Sequence, residues 1–376
     1  MKVLITGGAG FIGSHTSRVL LEKGYEVRLL DLLKPPVHPV GGPPPWLPHD
    51  AELIVGDIRD RDAVRRALNG VEAVIHLAAY QDYLPDFSTF FHVNTVGTAL
   101  IYELVIEAHL PVQKIVVASS QAAYGEGRHH CDEHGDVYPD IRSEEQLMAG
   151  AWNLRCPICG QPIGWRVTDE SRVNPQNQYG LSKYTQEQVA LSLGKRYRIP
   201  TTCLRYSITQ GRWQSPFNAY SGICRIFTLR ARAGKRPIVF EDGNQLRDYV
   251  YVEDVARANL IALEDSRTDF ESYNVAGDKP TSALQYAQIV SQVLRPGLAV
   301  DIPGYYRFGD TRHIVSDSTK LRALGWHNTR SVADVVAEYA AWIEGVGITD
   351  TVTDSGIQHM LEIGTIRQAR SAATRD

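Results

Sequence analysis

Lys2-Val3-Leu4-Ile5-Thr6-Gly7-Gly8-Ala9-Gly10-Phe11-Ile12-Gly13 is an apolar strand pattern that runs straight into spaced glycines. A helix pattern follows, opening at Ser14 and keeping apolar positions to Leu21. In such a turn Gly7 permits the tight bend, Gly10 lets the backbone approach a pyrophosphate, and Gly13 lets helix and strand pack closely. A helix N-terminus holds phosphate through its N–H groups and its dipole. Spaced glycines also occur in plain strand–helix turns. Here they follow a strand, open a helix and are answered by Asp31, which closes Glu26-Val27-Arg28-Leu29-Leu30 and stands 18 residues beyond Gly13. A carboxylate there accepts from ribose hydroxyls and repels a 2′-phosphate, so the reading is a dinucleotide site suited to NAD over NADP.

Outward from that turn, strand-like runs alternate with helical ones. The strands are Leu53-Ile54-Val55, Ala73-Val74-Ile75-His76-Leu77, Ile115-Val116-Val117-Ala118 and Thr202-Cys203-Leu204-Arg205-Tyr206, with helical patterns near 62–69, 94–109 and 179–194. This alternation predicts an α/β fold, a Rossmann-type doubly wound parallel sheet over about residues 1–210. Ligands in such sheets bind beyond the carboxyl ends of the strands, where Gly56-Asp57-Ile58, Leu77-Ala78-Ala79 and Ser119-Ser120 fall. Asp57 by itself is equally read as a turn cap. Residues 35–48, rich in Pro and Gly, read as an irregular loop beside the adenosine end. Helical patterns near 219–233, 254–264, 283–294 and 332–343 make residues 211–347 a smaller C-terminal α/β substrate lobe, and 348–376 a polar tail that frays at its end.

Composition narrows the function. The 376 residues are 43% hydrophobic and 22% charged with a formal net charge of −4, which favours a globular enzyme and gives no footing for nucleic acid or a lipid surface. No apolar run reads as a membrane span, and the first residues read as a core strand and not a signal peptide, so the expected compartment is the cytoplasm. Five cysteines in such a chain argue against a disulfide framework. Cys203 and Cys224 lie in apolar stretches and read as buried small side chains.

The chemistry is read from Ser120 together with Tyr179-Gly180-Leu181-Ser182-Lys183. Tyr179 and Lys183, four apart on a helix, share one face. A tyrosine with an ordinary pKa of about 10 needs about 4 kcal/mol to act near neutrality. One ammonium at ~4 Å in an effective dielectric of ~20 supplies about that much. Ser120 then holds the substrate oxygen and shares its proton with Tyr179. Taken alone, such a pair is more simply a buried tyrosine above a surface lysine; the glycine turn and Ser120 at a strand end favour the catalytic reading.

With these motifs in order, the chain resembles the extended short-chain dehydrogenase/reductases, specifically the NAD-dependent nucleotide-sugar epimerase/dehydratase family. Within it the resemblance is to UDP-glucose 4-epimerases and dTDP-L-rhamnose 4-epimerase-like proteins. It spans about residues 1–345 and also rests on His76-Leu77-Ala78-Ala79, Ser119-Ser120-Gln121-Ala122-Ala123-Tyr124-Gly125, Arg247-Asp248-Tyr249-Val250 and Arg307-Phe308-Gly309-Asp310. The resemblance implies that Gly7, Gly10, Phe11, Ile12, Gly13, Asp31, Asp57, Ile58, Leu77, Ala78, Ala79, Asn94, Tyr179 and Lys183 contact NAD. It implies that Ser120 and Gln121 meet the sugar and that Arg247 and Arg307 hold a diphosphate, surface ion pairing being the plainer alternative for either arginine. It implies a 4-epimerase acting on a nucleotide-diphosphate sugar, with a net 4-ketoreductase or dehydrogenase as the nearest rival, and a dehydratase or a non-catalytic NAD sensor further off. It also implies a homodimer pairing helices near 94–109 and 179–194. On the first of these Leu100, Ile101, Leu104 and Val105 form an apolar stripe that serves a dimer or, more simply, a core face.

Three features depart from the pattern. Ile208 stands where the family usually carries a substrate-contacting asparagine, which counts against ordinary UDP-hexoses. Gln121-Ala122 replaces the Asp-Glu pair of 4,6-dehydratases, and neither can move a proton. Ser120 and Tyr179 are 59 residues apart, well beyond the family's usual spacing, because of an insert over about residues 127–167. It holds His129-His130-Cys131, His134 and Cys156-Pro157-Ile158-Cys159-Gly160. Cys131, Cys156 and Cys159 with His134 or His130 make a closed structural zinc set, or the cysteines are a reduced group in a flexible insert.

Overall fold

The structure, a computed structural model, describes residues 1–35, 37–38, 42–82, 84–218, 222–346 and 351–370. In chain order the first half runs β1 (Lys2–Thr6), α1 (Phe11–Glu22), β2 (Glu26–Asp31), β3 (Glu52–Val55), α2 (Arg61–Leu68), β4 (Ala73–His76), α3 (Phe87–Phe90), a π-helical turn Phe91–Val96, α4 (Gly97–Glu107) and β5 (Lys114–Ser120). The insert supplies β6 (His129–Cys131), β7 (Gly135–Val137), α5 (Glu144–Met148) and β8 (Gly164–Trp165). Then follow α6 (Gln178–Tyr197), β9 (Thr201–Tyr206), β10 (Ile208–Gln210), α7 (Gly222–Arg232), β11 (Leu246–Tyr251), α8 (Val252–Glu264) and β12 (Glu271–Val275). The last part holds β13 (Pro280–Ser282), α9 (Ala283–Leu294), β14 (Tyr305–Tyr306), β15 (His313–Ile314), α10 (Thr319–Arg322), α11 (Val332–Val346), α12 (Thr351–Glu362) and β16 (Arg367–Gln368).

Seven parallel strands form the main sheet in the order β12-β9-β5-β4-β1-β2-β3. Strand order therefore reverses between β1 and β4, and that switch point opens a crevice beyond the strand ends. Alternation along β1 decides which helices cover which face. Val3 and Ile5 join Leu20 of α1 and Val255 and Leu263 of α8, whereas Leu4 joins Ala63 and Val64 of α2 and Ile101 and Leu104 of α4. With both faces covered, β5 is buried along its whole length, which explains the unbroken run of apolar and small residues from Ile115 to Ser120.

Several expectations are corrected here. The first helix opens at Phe11, with Gly10 as its N-cap, three residues before Ser14. Phe87–Glu107 is apolar enough by length and hydropathy to cross a membrane, which composition had not suggested, but its Phe90, Ile101, Tyr102 and Leu104 are packed into the body of the fold. The stripe Ile101, Leu104 and Val105 is thus a core face, with Leu100 packed against it. The helix expected from 219 is described from Gly222, residues 219–221 lying outside the described ones. The stretch expected to be a polar tail is structured over much of its length: α12 is followed by β16, which pairs antiparallel with β14. Residues 347–350 and 371–376, including the end expected to fray, lie outside the described residues. The insert folds as a small antiparallel sheet in the order β7-β6-β8. The Pro/Gly-rich loop carries no helix or strand among its described residues, and docks through Trp46, which stacks on Trp213 at 6.0 Å and meets Trp342 edge-on.

Candidate active site

A cavity of about 920 Å³ lies in the crevice between the sheet and the substrate lobe, near the upper end of the range for small-molecule sites. Its floor is the glycine turn. Gly7 takes φ +66°, and a Cβ there would stand 2.8 Å from the Ala78 nitrogen. A Cβ on Gly13 would stand 2.3 Å from the Gly7 carbonyl and 2.7 Å from Gly8 Cα, so only glycine lets α1 start this close to β1. No side chain caps α1 and no acid occupies its first turn, which leaves its N-terminus suited to an anion. Gly13→Ala is expected to cost about 1–3 kcal/mol by overpacking. Calorimetry should show a lowered midpoint and weaker binding of added NAD; an unchanged midpoint with unchanged NAD affinity would refute this account of the turn.

Asp31 lines the cavity at the end of β2 and is 8% exposed. Its Oδ2 accepts from the Ala9 N–H and its Oδ1 from the Leu33 N–H, both at 3.0 Å, so the carboxylate is aimed before any ligand arrives. Asp57, Ile58, Leu77, Ala78 and Ala79 also line the wall with Gly10, Phe11 and Ile12. The Asp57 carboxylate is gripped by the Arg59 guanidinium at 2.6–3.2 Å, which holds its pKa below the usual range. Asn94 departs from expectation. It is fully buried in the π-helical turn and stands behind the wall, its Oδ1 accepting from the Tyr80 N–H at 2.7 Å and its Nδ2 donating to the Tyr80 carbonyl and to Ser182 Oγ. It fixes the backbone of Tyr80, a residue lining the cavity, against α6.

The reactive groups converge from two elements. Ser120 ends β5, its Oγ accepting from the Ala122 N–H at 3.1 Å. Tyr179 is the second residue of α6, whose N-cap Asn177 accepts from the Gly180 N–H at 2.8 Å. A Cβ on Gly180 would lie 2.5 Å from the Ala122 carbonyl, so this glycine lets the start of α6 press against the turn behind Ser120. Lys183 follows one turn later on the same face, 2% exposed. Burial pushes its ammonium down to about 7, against the pull of Cys203 and Glu187. Gln121 is 8% exposed, and its buried Oε1 has no partner among the described residues, so it suits a hydroxyl donor from a ligand.

Both expected phosphate-binding arginines reach the cavity. Arg247 donates Nη1 to the Leu246 and Arg312 carbonyls and Nη2 to the Thr311 carbonyl, using three of its five donors. Arg307 donates Nε to Asp310 Oδ2 at 2.8 Å and lies over the Phe240 ring. Ile208 stands in the wall as well, presenting no polar group. Residues that the sequence reading missed are Ile223, Ile226 and Phe227 of α7 and Ile357 and Met360 of α12. The i, i+3 spacing of Ile357 and Met360 was the available signal, masked by the polar residues around it.

In the insert, Cys131, His134, Cys156 and Cys159 come together, with all four ligand atoms within 4.8 Å of one another. His130 does not join them; its Nδ1 faces Asp136 Oδ1 at 3.3 Å.

A glycine turn, Ser120, Tyr179 and Lys183 lining one cavity define an NAD-type dehydrogenase/reductase site. Residues 3–144 and 159–276 match the model of the NAD dependent epimerase/dehydratase family, the break falling inside the insert. The chain is 32% identical over 348 residues to dTDP-L-rhamnose 4-epimerase of Burkholderia thailandensis, covering 91% of this chain and 94% of that protein. It is 27% identical to a UDP-glucose 4-epimerase of Halalkalibacterium halodurans, covering 90% and 94%. The crystal structure of Thermotoga maritima UDP-glucose 4-epimerase with UDP-glucose superposes with a TM-score of 0.74 at 28% identity, over 92% of this chain and 99% of that one. The Thermus thermophilus UDP-glucose 4-epimerase complex with NAD gives 0.69 at 26%, over 92% and 99%. This chain belongs to the NAD-dependent epimerase/dehydratase family.

Proposed function

We propose that the protein is an NAD-dependent nucleotide-sugar 4-epimerase. The observation that carries this is one cavity lined by Ser120, Tyr179 and Lys183 together with the glycine turn, with Gln121-Ala122 where a dehydratase needs proton-transferring acids. The close-packed glycines, the uncapped α1 and the pre-aimed Asp31 fit a dinucleotide. Gly7, Gly10, Phe11, Ile12, Gly13, Asp31, Asp57, Ile58, Leu77, Ala78, Ala79, Tyr179 and Lys183 would hold it, and the chemistry it would supply there is reversible acceptance of the hydride at C4 of the sugar. Tyr179 removes the proton of the 4-hydroxyl and returns it once the sugar has turned its other face. Lys183 favours the phenolate form of Tyr179 while it carries its charge. Ser120 and the orphan Oε1 of Gln121 hold the sugar oxygens, and the two remaining donors of Arg247, with Arg307, meet the diphosphate. Ile208 gives no hydrogen bond to the ligand, which favours a sugar with an apolar or absent substituent at that point.

The test is purified protein with UDP- and dTDP-hexoses and no added cofactor, followed by NMR at C4. Interconversion of C4 epimers without accumulation of reduced cofactor is expected. Stoichiometric reduction of NAD, or no epimer from any nucleotide sugar, would defeat the proposal.

The same reading includes the cytoplasm as the compartment, a structural and not a catalytic zinc at Cys131, His134, Cys156 and Cys159, and a homodimer. With Ile101, Leu104 and Val105 spent on the core, the dimer rests on Val96 and Leu181, which are 52% and 43% exposed on the helical segments around α4 and α6. Sedimentation at micromolar concentration is expected to give a dimer, and Val96→Glu/Leu181→Glu a monomer. Only monomer in the unmodified protein would remove this part.

A further inference from the structure

We propose that the Cys131, His134, Cys156 and Cys159 tetrad binds one zinc ion, and that the metal locks the insert as a clasp that shapes the diphosphate end of the cavity. The metal part stands alone; the ligand part rests on the nucleotide-sugar reading. Cys131 Sγ lies 3.6 Å from His134 Nδ1 and 3.7 Å from Cys159 Sγ, and Cys156 Sγ lies 3.8 Å from His134 Nδ1. Zinc bonds of about 2.3 Å to sulfur and about 2.0 Å to nitrogen give tetrahedral edges of about 3.5–3.8 Å. These three pairs stand at that spacing, and all four ligand atoms lie within 4.8 Å of one another. A disulfide would need about 2.05 Å, and all five cysteines are free.

The local chain presents the ligands as two knuckles. Gly135, at φ +68°, turns β6 into β7 and brings His134 beside Cys131. In the second knuckle the Gly160 N–H donates to the Cys156 carbonyl at 2.9 Å and the Cys156 N–H to the Gln161 carbonyl at 2.8 Å. Apart from the cysteines, only Val137 and Ile163 complete this apolar cluster among the described residues. Two aliphatic side chains bury too little to order two loops, so a metal crosslink is the main available source of stability. Four protein ligands close the coordination sphere, which makes the ion structural.

The insert reaches the substrate lobe through buried polar contacts. Arg142 forks onto Glu241, with Nη1 to Oε2 and Nη2 to Oε1 at 2.9 Å, and also donates to the Asp310 carbonyl at 2.7 Å. Asn153, three residues before Cys156, accepts from Arg312 Nε and Nη2 through Oδ1. Thr168, just after the insert, bridges to Ser316. Residues 310–312 in turn hold the ligand-facing arginines: Asp310 takes Arg307, and the Thr311 and Arg312 carbonyls take Arg247. The metal therefore acts on substrate binding through Asn153 and Arg142, and not on the glycine turn.

The experiment uses full-length protein made with zinc supplied. Metal analysis should give about one zinc per chain, and Cys156→Ser/Cys159→Ser should lose it. Cobalt(II) exchanged into the unmodified protein should show the intense visible bands of a tetrahedral thiolate site, which covers the case of a variant that fails to fold. Chelation should weaken binding of UDP and dTDP about tenfold or more, read by calorimetry, while the NAD content stays constant. No stoichiometric metal and no cobalt spectrum, or a Cys131–Cys159 disulfide in mass spectrometry, would overturn the site. Unchanged nucleotide affinity after zinc removal would overturn the clasp. Failure of the epimerase reading would show instead as metal-replete protein without turnover.

Discussion

Tyr179→Phe is expected to lower turnover of the matched nucleotide sugar by about 10³-fold, within the range that a positioned proton-transfer group contributes. Folding and NAD content should be unchanged. The variant removes only the hydroxyl proposed to take and return the substrate proton, whereas the start of α6 is held by other contacts, including the Asn177 cap and the close approach of Gly180 to Ala122. The loss should fall on kcat with KM little altered, since the interaction is made in the transition state. Activity within a few-fold of wild type would remove Tyr179 from the mechanism.

The partner variant separates charge from shape. Burial leaves the Lys183 ammonium near 7, so its charge is present below that pH and declines above it. A tyrosine relieved of that charge should ionise nearer its ordinary value of about 10. Lys183→Met is therefore expected to be poorly active at pH 7 and to recover in part as pH rises toward 9–10, whereas Tyr179→Phe stays flat across the range. The limbs belong to the coupled pair and not to either residue alone. A Lys183→Met profile merely scaled down, with no displacement, would mean that the lysine acts by packing only.

Much of this was legible in sequence because its causes are local. The glycine turn declares itself through backbone requirements at Gly7 and Gly13, and the parallel sheet through apolar runs buried on both faces. The tyrosine and lysine declare themselves through helical spacing. The cysteine spacing at 156 and 159 pointed to a ligand knuckle, but the choice of His134 over His130 needed the β6–β7 turn, which places one histidine toward the sulfurs and the other toward Asp136. What escaped reading depends on partners far along the chain. Asn94 is a plausible ligand contact until Tyr80 and Ser182 are seen to occupy its amide. Arg247 and Arg307 lie within recognisable motifs, yet their engagement by residues 310–312 is set by a loop whose support comes from the insert. The α12 wall was hidden because Ile357, Met360 and Leu361 cluster within little more than one turn after a mostly polar stretch, too short a run for a periodic signal.

The second large effect concerns Glu187, one turn beyond Lys183 on α6 and 1% exposed. Its Oε1 accepts from Arg205 Nη2 at 2.5 Å and from Ser272 Oγ at 2.8 Å; its Oε2 accepts from Arg205 Nε at 3.0 Å and from Ser119 Oγ at 2.7 Å. One carboxylate thus ties the catalytic helix to β5, β9 and β12, beside the strand end that carries Ser120. Arg205 also donates to Tyr124 Oη at 2.8 Å and to the Glu170 carbonyl at 3.1 Å, so the guanidinium cannot swing to water without breaking those bonds. Glu187→Leu is expected to destabilise the protein by about 3–5 kcal/mol, because it strands a buried cation. The double variant Glu187→Leu/Arg205→Met should cost less than the single, since it removes both charges together. Equilibrium denaturation of wild type, both singles and the double closes the cycle. If Glu187→Leu lies within about 1 kcal/mol of wild type, or the double equals the sum of the singles, the carboxylate does not hold α6 in place. If the cycle closes as expected, kcat of Glu187→Leu should fall at temperatures where the variant is still folded, because Tyr179 and Lys183 ride on the helix it anchors.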